Sequence, residues 1–470
     1  MAQSAWRPMQ AAEGKSPELV RALNVWHATA IVAGTIIGSG IFLVPAEMMQ
    51  AVGSPKLVYL VWIVGGLLSF FGALTYAELG ALRPFAGGEY VYVRDGYGPL
   101  PGFLYAWTWF LIAKPASIAS ITSGLVRVLG NFAVFSFLPQ PILHLNSSFA
   151  ITWGHLLAIA ATILISALNY VGVRKAGNFQ LAFTALKVVM IALIVAAGFS
   201  AATGTWSNFG TTFLGAKGGM AGFMAALVAA LWAYDGWNDL NMVSGEISRP
   251  ERNIPIALIA GVALVAVLYI AVNGAVQYVM PAAAVAASPV PASTATQIAI
   301  GRWGALLVSA GMAISMLVTL NGTIMSGGRI PFAVARDGYF FKAMAEVHPR
   351  FHTPSLAIII QAVMSIALLM GGGSFKDFIE LAIFAEWLWY MVAASTIFIF
   401  RVREPNATRA YRTWGYPVVP ALFIVGAAIL LYNTFIGKLD TSPVGTLVMT
   451  LVLLAGVPVY LYFAKKKRTA

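Results

Sequence analysis

Long apolar runs separated by short polar segments set the pattern of this chain. Twelve of them cover roughly residues 27–50, 57–82, 99–130, 151–172, 178–201, 219–247, 254–280, 303–335, 355–372, 375–401, 417–437 and 443–464. Each is near or above the roughly 20 residues a helix needs to cross a hydrocarbon core. The pattern predicts an all-α integral membrane protein with 12 transmembrane helices. Two of the runs are interrupted. In the first, Gly34–Pro45 reads GTIIGSGIFLVP, and Gly38, Ser39 and Gly40 favour a break because a Gly costs about 1 kcal/mol in a helix interior. In the sixth, LWAYDGWNDLN (Leu231–Asn241) sets Asp235, Gly236, Asn238, Asp239 and Asn241 into an apolar helix. A break at membrane depth leaves backbone N–H and C=O groups that only protein or a polar cavity satisfies. The first break therefore reads as a site whose free N–H groups, at the start of the second half-helix, face an anion such as a carboxylate. Gly and Ser also let helices approach closely, so a packing face is the alternative for this stretch taken alone. Two breaks five spans apart point to a 5+5 inverted repeat with helices 1 and 6 unwound at mid-membrane. The division is a single domain over 1–470, with repeat 1 over 27–201 (helices 1–5), repeat 2 over 219–401 (helices 6–10) and helices 11–12 over 417–464.

Composition narrows the class. The chain is 59% hydrophobic and 10% charged, which suits a polytopic helical membrane protein and not a soluble domain. A barrel would show short alternating segments instead of long runs. The net charge of +12 is spread over short loops, which argues for the lipid bilayer and against nucleic acid as a partner. Arg7, Lys15, Arg21, Arg83, Arg94, Arg174, Lys175, Arg249, Arg252, Arg329, Arg336, Lys342, Arg350, Arg401, Arg403, Arg409, Arg412 and Lys465–Arg468 fall on one set of alternate segments, 21 basic residues against 5 on the other (Lys56, Lys217, Arg302, Lys376, Lys438). By the positive-inside rule both termini are cytoplasmic. Met1–Arg21 is polar and lacks the apolar stretch of a cleavable signal. Two longer outer segments, 203–218 and 281–300, read as loops. Cysteine is absent, so no disulfide-linked partner subunit is expected. His27, His144, His155, His348 and His352 have no metal-ligand spacing, and neither a metal nor a cofactor is expected. No phosphate loop, nucleophile elbow or Cys/His cluster appears in the sequence, so it does not read as an enzyme. Two breaks at one depth suit an alternating-access site better than a continuous pore.

Several motifs then occur in order: GTIIGSGIFLVP, the TYAEL and GGEYVYVRDGYG runs within Thr75–Gly98, AYDGWNDLNMVSGEI followed by RNIP within Ala233–Pro255, and GGRIPFAVARDGYF over Gly327–Phe340. In these motifs and their spacing the chain resembles the L-type amino acid transporter family of the amino acid–polyamine–organocation superfamily. The resemblance covers spans 1–10. It implies a LeuT-like fold and sodium-independent exchange of amino acids. Some animal members pair with a heavy chain through an extracellular cysteine; this chain has none and looks like a stand-alone bacterial-type member of the inner (plasma) membrane.

The resemblance also implies roles for residues. A zwitterionic amino acid carries two charges, and burying either unpaired costs several kcal/mol. The N–H groups of Ser39, Gly40 and Ile41 would receive the carboxylate, with Thr35 close by, and the carbonyls of Ile36, Trp232 and Asp235 would accept the ammonium. The Trp232 ring would lid the pocket; an interfacial Trp is the alternative. Asp235 either caps freed N–H groups or faces the substrate side chain, which would favour cationic amino acids. Lys187 lies mid-span, and in the family a lysine there occupies the region where sodium-coupled relatives bind sodium. It would bond carbonyls of the broken first helix around Gly38, with Tyr269 as a companion across the bundle.

The expected function is alternating-access exchange (antiport) of neutral L-amino acids. Desolvation favours the neutral form of a buried lysine, which leaves two alternatives, a proton-coupled symporter using Lys187 or an exchanger of cationic amino acids or polyamines. Glu47, Glu78, Glu246, Glu380 and Glu386 also lie in or near spans. Glu78 and Glu246, beside Arg83, Arg249 and Arg252, are expected to form an inner gate of exposed pairs, each worth roughly 0–1 kcal/mol. Lys114 and Arg127 receive no partner from the sequence.

Overall fold

The computed structural model describes residues 18–130, 132–144, 150–371, 375–441 and 443–469, with side chains outside 375–385, 434–450 and 469. Arg7 and Lys15, and the side chains of Lys376, Glu380 and Lys438, lie outside the described residues. The chain runs through α1 (Val25–Ile36), α2 (Gly40–Val52), α3 (Pro55–Leu82), α4 (Glu89–Tyr97), α5 (Pro99–Thr108), α6 (Lys114–Leu129), α7 (Trp153–Tyr170), α8 (Val173–Phe199), α9 (Gly219–Ala233) and α10 (Asp239–Met242). It continues through α11 (Pro250–Val279), α12 (Ala282–Ala287), α13 (Pro291–Ile300), α14 (Arg302–Gly327), α15 (Arg329–Arg336), α16 (Ser355–Met370), α17 (Phe375–Arg403), α18 (Val418–Thr441) and α19 (Pro443–Thr469). Among the described residues, seven helical stretches are long and apolar enough to cross a membrane: Val25–Val52, Pro55–Leu82, Pro99–Leu129, Trp153–Tyr170, Val173–Phe199, Pro250–Val279 and Arg302–Arg336. Leu60, Ile63, Leu67, Leu164, Val189, Leu193 and Val267 are exposed along these helices, as an apolar perimeter requires in lipid.

Local chemistry explains where the helices start and stop. The Asn24 side chain accepts from the Trp26 and His27 amides and starts α1; Ser54 and Thr152 do the same for α3 and α7. Gly53 closes α2 at φ 75°. The first span divides as its glycines predict. The helix stops at Ile36 and resumes at Gly40, with no side-chain cap from Ser39. The sixth stops at Ala233 and resumes only for the four residues of α10; Gly236 sits at φ 104°, where L-residues are strained.

Three segments differ from expectation. The third span is α5 and α6 joined by a π-helical turn, Trp109–Ala113. Pro115 has no N–H to donate back to Leu111, so the ladder slips there. The outer segment 281–300, expected as a loop, forms the short helices α12 and α13; its alanines carry high helix propensity. The fold is also not purely α, because β1 (Pro141–His144) pairs antiparallel with β2 (Ala150–Thr152) between α6 and α7.

α1 packs against α8, α11 and α14, and α11 also runs along α3. Close approach is built in: a Cβ on Gly40 would lie 3.0 Å from Ala233 Cβ, so the start of α2 touches the end of α9. At one end of the bundle Leu23 N–H donates to Glu246 O (3.0 Å) and Ser248 N–H to Leu23 O (2.8 Å), fastening the chain before α1 to the chain after α10.

Candidate functional site

The two interrupted helices meet at a cavity of about 120 Å³. Its wall includes Thr35, Ile36, Gly38, Ser39 and Gly40 from the first break and Trp232, Ala233, Asp235 and Gly236 from the second. α6, α14 and α17 complete it with Lys114, Ser117, Thr319, Glu386 and Tyr390 among others. Ile41 is buried beside this wall and does not line it. Among the described residues, the N–H groups of Ser39, Gly40 and Ile41 take no backbone or side-chain acceptor. These three donors open α2, where the positive end of the helix dipole lies.

The breaks are held open by side chains from their neighbours. Lys187 Nζ donates to Gly34 O (2.8 Å), Ile37 O (2.7 Å) and Ser315 O (3.4 Å), so each ammonium proton has a carbonyl. Tyr269 Oη lies 3.0 Å from Ile36 O and 2.8 Å from Ala233 O, spanning the two breaks. Thr35 Oγ1 lies 2.8 Å from Gly236 O. Ser315 and Thr319 hydroxyls also reach Ile37 O and Gly34 O. Lys187 and Tyr269 thus meet at the end of α1, Lys187 on Gly34 and Ile37 and Tyr269 on Ile36. The Ile36 carbonyl already accepts from Gly38 N–H (2.7 Å) and from Tyr269. At the second break the Trp232 carbonyl likewise accepts from the Tyr234 and Asp235 amides, so among the described residues the Asp235 carbonyl is the one called on for the ammonium that has no donor. Trp232 lines the cavity half-buried.

The charged groups in the wall were seen in the sequence without their partners. Lys114 pairs with Asp239, both nearly fully buried, and its Nζ lies 5.0 Å above the Trp109 ring. Glu386 is 4% exposed and lines the same cavity as Asp235; Ser117 Oγ donates to Glu386 Oε1 at 3.3 Å. Tyr390 Oη lies 2.9 Å from both Asp235 Oδ1 and Asn238 Oδ1. Asn238 Nδ2 donates to Glu89 Oε1 at 2.7 Å, and Tyr105 Oη to Glu89 Oε2 at 3.3 Å. Glu89 belongs to α4, between spans, and burial pushes its carboxyl up to about 7 against the hydrogen bond from Asn238.

The expected gate pairs need correcting. Glu246 pairs with Arg329, not Arg249 or Arg252, in a bidentate contact (2.7 and 2.8 Å) with both side chains fully buried. Glu78 pairs with Arg401 (2.7 Å) and Arg409 (3.1 Å), not Arg83. Arg83 turns to Asp95 and Glu404, and Arg94 to Asp95 and Asp337. Glu246 and Glu78 are therefore buried rather than exposed, in the regime where losing one partner is costly. Long-range packing brings cations from α15, α17 and the chain after α17, and sequence neighbours lost the competition.

The family model for amino acid permeases matches residues 23–458. The chain belongs to the amino acid permease family. The serine/threonine exchanger SteT of Bacillus subtilis (strain 168) is 31% identical over 461 residues, covering 96% of this permease and 98% of that protein. The human b(0,+)-type amino acid transporter 1 is 31% identical over 466 residues (98% and 91%), and the human cystine/glutamate transporter 29% over 452 (95% and 86%). These relatives bear out the resemblance to L-type amino acid transporters read from the motifs.

Proposed function

We propose that this permease is a sodium-independent amino acid transporter working by alternating access, as an exchanger of neutral L-amino acids. The observation that carries this reading is the trio of unsatisfied N–H groups at Ser39, Gly40 and Ile41, of which Ser39 and Gly40 line one cavity with the second break and Ile41 lies beside its wall. The trio suits a carboxylate, and the carbonyl at Asp235 suits the ammonium. The printed activities of the relatives, among them a serine/threonine exchanger and a cystine/glutamate transporter, support amino acids as the substrate class. The site holds an ammonium, Lys187, against the carbonyls of the first break, and this favours a fixed tether over a sodium ion there. When the carrier empties, the trio loses its partner, so reorientation without substrate is slow and influx couples to efflux. Within the same reading the fold is LeuT-like, with 12 spans, repeats over 27–201 and 219–401 and two further helices over 417–464. The protein lies in the plasma membrane with both termini cytoplasmic.

Labelled serine uptake into proteoliposomes tests this, with and without unlabelled amino acid inside, for wild type and Lys187→Ala. Uptake is expected to require internal amino acid, and Lys187→Ala is expected to slow it by at least about tenfold, the equivalent of one lost charge-assisted hydrogen bond. Uptake into empty vesicles, driven by an inward proton gradient and abolished in Lys187→Ala, would make the protein a proton symporter instead.

A further inference from the structure

The cavity wall holds more acid than base. Lys114 is matched by Asp239. Asp235 and Glu386 then remain in the wall of the same small cavity, with the Tyr390 hydroxyl on one and the Ser117 hydroxyl on the other. The groups around this pair are Lys114 and Ser117 from α6, Asp239 from α10, Tyr390 from α17, and Glu89 with Tyr105 behind Asn238. None of these brings a second cation. Two ionised carboxylates in one buried cavity repel, and a proton or a cation between them relieves this. A second observation marks the place as one for a ligand. The hydroxyls of Ser39, Ser120 and Thr323, each more than nine-tenths buried, line the same cavity and take no partner among the described residues.

We propose that Asp235 and Glu386 hold one proton between them when a neutral amino acid occupies the cavity, that a substrate with a cationic side chain displaces this proton to water, and that Glu386 thereby sets the choice between neutral and cationic amino acids. The proposal rests on the reading of the cavity as an amino acid site. Its balance is simple: one proton leaves the carboxyl pair as one side-chain ammonium arrives, and the charge of the loaded cavity stays the same. Asp235 lies in the break itself, while Glu386 is supplied by α17, so the pair forms only in the folded bundle. Glu386 here is a specificity-determining residue and not part of the carboxylate- or ammonium-binding backbone.

The test uses the full chain in proteoliposomes loaded with unlabelled serine, measuring uptake of labelled serine and labelled lysine from mildly acid to mildly alkaline pH. In wild type the lysine-to-serine ratio is expected to rise with pH, by up to about tenfold per pH unit for one exchanged proton. In Glu386→Gln, which fixes the uncharged form, the ratio is expected to lose its pH dependence and stay low. A wild-type ratio that does not change with pH overturns the proposal, and so does a Glu386→Gln ratio that rises as in wild type. If Glu386→Gln fails to insert, the wild-type profile decides. Serine uptake that ignores internal amino acid would instead overturn the exchanger reading, and the two failures are separate readouts of one preparation.

Discussion

The hydroxyl of Thr35 lies 2.8 Å from the carbonyl oxygen of Gly236. The last turn of α1 thus touches the positive-φ glycine of the second break through this hydroxyl, which also lies 2.6 Å from Ile31 O within α1. Tyr269 adds a second tie and Lys187 a third anchor from α8. The unsatisfied donors are left on the cavity side. An open backbone is tolerated because its neighbours fix it.

Tyr269→Phe removes the only side chain that spans both breaks at Ile36 and Ala233 among the described residues. The hydroxyl has one proton to share between the two buried carbonyls, and losing that donor costs about 1–3 kcal/mol. Serine exchange should slow severalfold, and the melting temperature of the detergent-solubilised protein should fall. Unchanged exchange together with unchanged melting would mean the hydroxyl bridges nothing that matters.

Arg329 and Glu246 are both 0% exposed, and the guanidinium also donates to Met325 O at 2.7 Å. Arg329→Met leaves a carboxylate buried without its partner, a loss of about 3–5 kcal/mol. The double variant Arg329→Met with Glu246→Leu should regain most of that stability, since an apolar pair replaces an ionic one. Thermal unfolding of the single and double variants checks this, and a double variant no better than the single would refute the charge argument.

Glu89 carries the clearest pH signature outside the spans. Its carboxyl moves from an ordinary 4.5 up to about 7, chiefly through burial. The folded protein then holds this proton more tightly than the unfolded chain does, so stability contributed by the site is complete below about 4.5 and is lost as pH rises through about 7. Glu89→Gln keeps an oxygen for the Asn238 amide and should flatten the fall. Melting temperature against pH for both proteins measures the difference, and parallel curves would rule the assignment out.

The sequence by itself determined the membrane class, the two interrupted helices, the alternation of basic loops and the family. These are local or compositional signals: apolar run length, glycine in a helix, and motifs read within a few residues. Lys187 was also legible, because an ammonium in mid-span has few places to go. The partners of the other buried charges were not. Lys114 and Asp239 are 125 residues apart, Glu246 and Arg329 are 83 apart, and Arg401 reaches Glu78 across 323. Nothing in local composition ranks one distant cation above another, and the nearer Arg249 and Arg252 were the natural but mistaken choice for Glu246. The slip of the third span at Pro115 and the meeting of Glu386 with Asp235 were likewise decided by tertiary structure. Burial makes an unpaired charge costly enough that packing, not sequence distance, selects its partner.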